Sequence, residues 1–317
     1  MDRRDFLKRT SQAGAGAAAA CGLGFWLHSR SSHPAREVSA AQVRNYRVDI
    51  GSDLPGMAVV SGGEPPDLVK AALAALGGME KFVSRGDVVV LKPNIGWDRV
   101  PQQAANTNPD LVKAVAQLCF DAGAKRVVVT DVSCNDPRRC FMRSGIASAA
   151  ESVGATVLLP EERKFRDYRV NGEILSVWPV FTPILEADKV INLPIVKHHN
   201  LSRITMGMKN WYGILGGRRN QLHQNIDIGI VDLATFVRPT LTILDAYRVL
   251  TANGPQGGNL NDVKLVKAVV AGIDPVAIDA FGATYLGMRA EQIPYINIGH
   301  ERGLGTMFWE NLRVREV

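Results

Sequence analysis

Two lysines, two adjacent histidines and two asparagines crowd the stretch IVKHHNLSRITMGMKNWYGILGG at residues 195–217: Lys197, His198, His199, Asn200, Lys209 and Asn210 stand there among ordinary apolar residues. Lysine can hold negative charge while histidine moves a proton near neutral pH, so the combination suits chemistry on a small anion. Neighbouring side chains on a strand point to opposite faces, and on a helix they diverge by about 100°, so only a loop lets both histidines address one ligand. A loop is expected after the apolar run KVINLPIV. One of His198 and His199 is then a general acid/base or a metal contact, and the other braces backbone or a carboxylate. Met206, Met208 and Trp211 read as packing, while Lys209 and Asn210 lie between Gly207 and Gly213, where backbone can approach a ligand closely.

Polar residues recur where other apolar runs stop. VVVLKPN closes on Lys92, Pro93 and Asn94, VVVTD on Asp131, LTILDA on Asp245 and VVAGID on Asp274. Ligands of open parallel sheets bind outside the carboxyl ends of the strands, so these residues are expected to converge on one rim. Lys92, Asn94, Lys197, Lys209, Asn210 and Asn253 are the expected substrate-binding residues. His198 and His199 with Asp131 or Asp274 are the expected catalytic ones. The loop TANGPQGGN at residues 251–259 could cradle an anion on its N–H groups, although it has neither a Walker motif nor GxGxxG spacing.

The elements that must position these groups alternate. GDVVVLKP is a strand, and NPDLVKAVAQLCFDAG a helix whose Leu111, Val112, Val115, Leu118 and Cys119 share one face. Asn108 suits its N-cap and Pro109 its first turn. KRVVVTD, a helix over residues 139–153 and ATVLLP follow, then a hairpin at YRVNGEILSV, KVINLP, LTILDA, KLVKAVVAGID and the helix PVAIDAFGATYLG. Continuously apolar strands separated by helices predict an α/β domain over residues 41–317. Its mostly parallel, doubly wound sheet has helices on both faces and a small hairpin insertion around residues 161–178.

The first forty residues stand apart. Arg3 and Arg4 with Phe6, Leu7 and Lys8 resemble a twin-arginine export signal, and the apolar run at 13–27 is too short and glycine-rich for a comfortable span. The expectation is folded export to the periplasm through the twin-arginine machinery, with membrane association where the signal stays uncleaved. Without residues 1–40 the net charge falls from +6 to +3, because six basic and three acidic residues leave. No Lys/Arg stripe interleaves with aromatics, so nucleic acid is not an expected partner. Arg138-Arg139 and Arg218-Arg219 read as solvated surface. Of the cysteines beyond the signal, Cys119 is core, while Cys134 and Cys140 are spaced as in no common zinc or iron–sulfur motif and are weighed as soft metal ligands, free thiols or a disulfide.

LKPN with NTNPDLV, VVVTD with CNDPRRC, INLPIVKHH with MGMKN, ANGPQGG and DPVAIDAFG, in this order over about residues 86–287, resemble the domain of unknown function 362 family. That resemblance implies a fold without a common activity. Iron–sulfur cysteines of many relatives suggest redox roles, but this chain has no CxxCxxC run. A more distant likeness to the lactate racemase fold offers a precedent for paired histidines as acid and base around a metal-bearing cofactor. The expected function is an enzyme, by acid/base or redox chemistry, on a small anionic substrate. The alternative is a carrier or redox-associated protein that binds a metal ion or a small redox cofactor.

Overall fold

The computed structural model describes residues 43–317 throughout, and Asp2, Arg4, Asp5, Gly16, Val38 and Ser39 individually. The chain divides into two compact units, Met1–Val38 and Ser39–Val317, and the second carries the fold. The twin-arginine segment lies largely outside the described residues.

After β1 (Met57–Ser61) and α1 (Pro65–Ala75) come β2 (Val88–Pro93), α2 (Pro109–Asp121) and β3 (Arg126–Val129). Two short helices, α3 (Pro137–Arg143) and α4 (Ile146–Glu151), lead to β4 (Thr156–Val157). A hairpin of β5 (Phe165–Arg169) and β6 (Val177–Phe181) precedes β7 (Lys189–Leu193), β8 (Ile195–His199), β9 (Arg203–Thr205) and α5 (Ile226–Phe236). The chain ends with β10 (Leu241–Leu250), β11 (Val263–Gly272), α6 (Pro275–Ala283), α7 (Pro294–Glu301) and β12 (Val314–Glu316). The main sheet runs β12-β1-β11-β10-β7-β2-β3-β4. Along this order the pairings are parallel except the two that β11 makes, with β10 and with β1; off it, β8 pairs parallel with β10 and antiparallel with β9.

Strand alternation builds a core on each face. Val90, Val128 and Val190 join one apolar cluster with residues of α5, α6 and α7. Val89, Leu91, Val127, Val129 and Ile191 join another with α1, α2 and α4. Successive strand residues face opposite ways, so runs apolar on both parities need cover on both sides. This is the expected α/β sheet with helices on both faces, and the hairpin sits where Asn171-Gly172 foretold it, with Asn171 at φ 54°.

Two expectations fail here. The single helix over 139–153 is two helices, because Gly145 takes the left-handed conformation at φ 74° and breaks the ladder. The run ending in Asp274 is antiparallel to its neighbours, so its carboxyl end lies at the opposite edge of the sheet from those of β2 and β7. Asp274 therefore does not join the rim; it caps α6, accepting from Val276 N and Ala277 N at 2.9 Å each.

Candidate functional site

Beyond β2, β3 and β8 lies a cavity of about 440 Å³. Its floor is a buried polar row that the strand register sets side by side: Lys92 faces Asn192 across β2 and β7, and Asn192 faces Thr242 across β7 and β10. Lys92 Nζ donates to Asp131 Oδ1 at 2.6 Å, to the Pro93 carbonyl at 3.0 Å and to Asn210 Oδ1 at 3.1 Å, which occupies its three protons. Burial pulls the Lys92 pKa down, against the pull of Asp131 that holds the charge in place. Asp131 Oδ2 also accepts from Ile95 N at 2.7 Å. Asn210 ties the row together, donating to Asn192 Oδ1 and the Lys92 carbonyl and accepting from Asn94 Nδ2. Asn94 Oδ1 accepts from Lys197 Nζ, which also donates to the Ala105 carbonyl at 2.6 Å. Desolvation brings the Lys197 pKa to about 7.

The segment that roofs this row is fastened from below. Asp279 on α6 accepts from Gly207 N at 2.7 Å and Met208 N at 3.0 Å, which presents Lys209 and Asn210 to the floor. Burial raises the Asp279 pKa to about 7, opposed by those N–H donors. Met206, Met208 and Trp211 are core, as expected. Lys209 Nζ stands over the Tyr212 ring, 4.6 Å from its centroid, with no ion-pair or hydrogen-bond partner among the described residues. Desolvation lowers its pKa to about 8.

The paired histidines are not in a loop. β8 runs through both and pairs with β9, so the two side chains take opposite faces, and only His199 lines the cavity. His198 Nδ1 accepts from Gly254 N at 3.2 Å and braces the 251–259 loop. His199 Nδ1 accepts from Leu201 N and Ser202 N at 3.1 and 3.2 Å. Burial, then the Lys209 and Lys197 charges, push its pKa down to about 2. A neutral ring whose Nδ1 is an acceptor carries its proton on Nε2, so His199 is a hydrogen-bond donor near neutral pH rather than a base.

Several residues that residue type alone did not single out complete the lining. His223 stacks on His199 with ring centroids 6.2 Å apart and planes 8° from parallel. Its Nδ1 faces the Asn220 carbonyl at 3.0 Å; a carbonyl only accepts, so the proton sits on Nδ1 and Nε2 keeps a lone pair. Arg219 is half-buried rather than solvated: its guanidinium donates to the Val132, Tyr212 and Ser133 carbonyls beside the cavity. Thr205 Oγ1 lines the cavity, buried and without a hydrogen-bond partner among the described residues. The sequence signal for these was faint, since a lone histidine or arginine between glycines and amides looks like surface.

Other expected site residues fall elsewhere. Asn253 is exposed and donates to Asp262, and of its loop it is Pro255 that lines the cavity. Asp245 lies inside the ten-residue β10 rather than at its end, holding Asn108 N and Tyr247 N. Cys134 and Cys140 are free thiols; Cys140 is buried, and Cys134 is exposed at the cavity, 3.5 Å from an Arg219 nitrogen. Among the described residues no group of three or more His, Cys, Asp or Glu side chains converges as a metal site.

The model of the family described as "domain of unknown function (DUF362)" matches residues 89–284, which spans β2 to the end of α6 and every residue of the polar floor. The chain belongs to the DUF362 family. A thylakoid-associated protein of Synechocystis sp. is 28% identical to this DUF362 member over 244 residues, 74% of either chain. Among solved structures, a Thermotoga maritima protein is similar at TM-score 0.41 and 11% identity over 75% of this chain. The lactate racemase apoprotein of Thermoanaerobacterium thermosaccharolyticum is similar at TM-score 0.36 and 11% identity over 73%. The DUF362 chain spans 60% and 56% of those two chains' lengths.

Proposed function

We propose that this DUF362 protein is an enzyme acting on a small anionic molecule in the cavity beyond β2, β3 and β8. One observation carries the reading. Lys209 and Arg219 line the cavity and Lys197 reaches it only through Asn94, none with a carboxylate in ion-pair range among the described residues, while Asp131 is already spent on Lys92. Buried cations without counter-ions are costly in an empty site and favourable once an anion enters. The lining supplies donors for it in Lys209 Nζ, His199 Nε2 and Thr205 Oγ1, and apolar walls in Trp97, Val132, Leu201 and Tyr212. His199 Nε2–H can hydrogen-bond a substrate oxygen, and His223 Nε2 can take up a proton and give it back.

Calorimetric titration of the purified protein with a panel of small carboxylates and phosphates tests this. A member of the panel should bind, and Lys209→Met should weaken it about thirtyfold or more, the ~2 kcal/mol minimum for truncating one partner of a buried charge pair. An affinity that Lys209→Met leaves unchanged for every anion would sink the reading.

The pH dependence has a definite sign. Lys197 and Lys209 release their protons at about 7 and about 8 in the fold, whereas an unfolded lysine holds its own to about 10.4. Between those values the unfolded chain binds more protons, so stability of the ligand-free protein should rise with pH from about 7 to about 10. Anion affinity should fall over the first part of that window, as the ammonium groups become neutral. Melting scans with and without ligand would show the two trends diverge; parallel trends would contradict the pKa assignment.

The export reading belongs to the same proposal. The twin-arginine residues Arg3 and Arg4 support folded passage to the periplasm, and the name of the thylakoid-associated relative is in keeping with work beside a membrane. Among the described residues no helix is long and apolar enough to cross a membrane. Cell fractionation of the full chain against an Arg3→Lys, Arg4→Lys variant decides it: unchanged distribution would reject export by this route.

A further inference from the structure

Lys209 differs from the other buried lysines in what its nitrogen touches. The Lys92 ammonium is spent on three acceptors and that of Lys197 on two, whereas Lys209 Nζ opens on the cavity above an aromatic face. Among the described residues no carboxylate holds its charge, and desolvation, opposed by Cys134 and helped by the Arg219 charge, eases the proton off. A lysine desolvated beside another cation is the usual form of an amine nucleophile. The imidazoles of His199 and His223 both feel the Lys209 charge, and their backbone bonds hold them in opposite tautomers: one offers Nε2–H, the other a free Nε2. An amine that shares its cavity with a hydrogen-bond donor and a proton acceptor has what carbonyl condensation needs.

We propose that Lys209 is a nucleophilic residue that forms an imine with the carbonyl carbon of a small 2-oxo acid. This rests on the anion reading, because the net positive lining selects the carboxylate and the amine selects the carbonyl. In the step, Nζ bonds to the carbonyl carbon and the C–O bond breaks. The two protons of the neutral amine leave with the oxygen as water: His223 Nε2 takes each from the nitrogen and returns it to the oxygen, while His199 keeps its Nε2 proton and hydrogen-bonds that oxygen. No oxidant or reductant takes part. The Thr205 hydroxyl, otherwise unpartnered, is a ready donor to the carbonyl oxygen or the carboxylate.

Incubation of the full chain with 2-oxobutyrate and sodium cyanoborohydride tests it. The reductant converts an imine to a stable secondary amine, and peptide mass mapping locates it. The expected result is one adduct, of ligand less water plus two hydrogens, on Lys209. Lys209→Arg should abolish the adduct, because a guanidinium forms no imine, whereas the unaltered protein should also bind 2-hydroxybutyrate, which has no carbonyl to condense. No adduct from a protein that binds both acids would overturn the imine and leave the anion reading standing. Binding of neither acid would overturn the 2-oxo acid assignment and count against the anion reading for carboxylates of this size. An adduct spread over surface lysines, and unchanged in Lys209→Arg, would also overturn the proposal.

Discussion

Asp131→Ala is expected to destabilise the fold by about 3–5 kcal/mol, because it strands the Lys92 ammonium in the interior without its counter-charge. Lys92 is fully buried, and of its three acceptors only Asp131 carries charge. The Ile95 N–H loses its acceptor in the same change. Since Lys92 would then shed its proton more readily, the deficit should shrink as pH rises toward the unfolded lysine pKa, the unfolded state binding the extra proton in that window. Lys92→Met with Asp131→Leu removes both charges at once, and such paired replacements are often neutral. Urea denaturation of the single and double variants across pH checks this. A single variant within about 1 kcal/mol of the parent would mean the pair is not closed as described.

Gly213→Ala should have an effect of similar size for a steric reason. An added Cβ would stand 1.9 Å from Asp131 Oδ1 and 2.5 Å from Lys92 Nζ. Those atoms end side chains, yet neither can swing aside: each is buried and bound on every side by the network just described. The Gly213 carbonyl is itself fixed, accepting from Val132 N at 2.8 Å. The backbone must therefore retreat from the floor and carry Lys209 and Asn210 with it. Loss of soluble protein, or a denaturation midpoint reduced by the equivalent of several kcal/mol together with lost anion binding, is the expected outcome. Gly56→Ala is the control, since its Cβ would meet nothing within 4 Å. Equal behaviour of the two variants would refute the close approach.

The scaffold was legible because its signals are local and repeated. Runs such as VVVL and KVINLP are apolar at both parities, which only a doubly covered sheet satisfies. Asn108 accepts from Asp110 N at the start of α2, as its residue type and Pro109 indicated. Most of the polar floor was legible too: Lys92, Asn94, Asp131, Lys197, Lys209 and Asn210 do meet, because strand ends and the segment after β8 share one edge.

What escaped depended on strand direction and on partners distant in the chain. A run of apolar residues reads the same in either direction, so nothing local told that β11 is antiparallel and that Asp274 lies at the far edge. His198 and His199 could be separated only once β9 paired with β8, since the pairing partner decides whether a polar pair is strand or loop. Arg219 and His223 enter the cavity through the 3₁₀ turns of Arg219–Asn225, whose irregular path has no periodicity to read. Composition and periodicity thus determined the layers and the residues available at the sheet edge. The tertiary structure alone decided which charges cancel: Lys92 finds Asp131, 39 positions away, while Lys209 finds no carboxylate among the described residues. Charge compensation is set by distance in space, and the chain order of lysines and aspartates does not encode that distance.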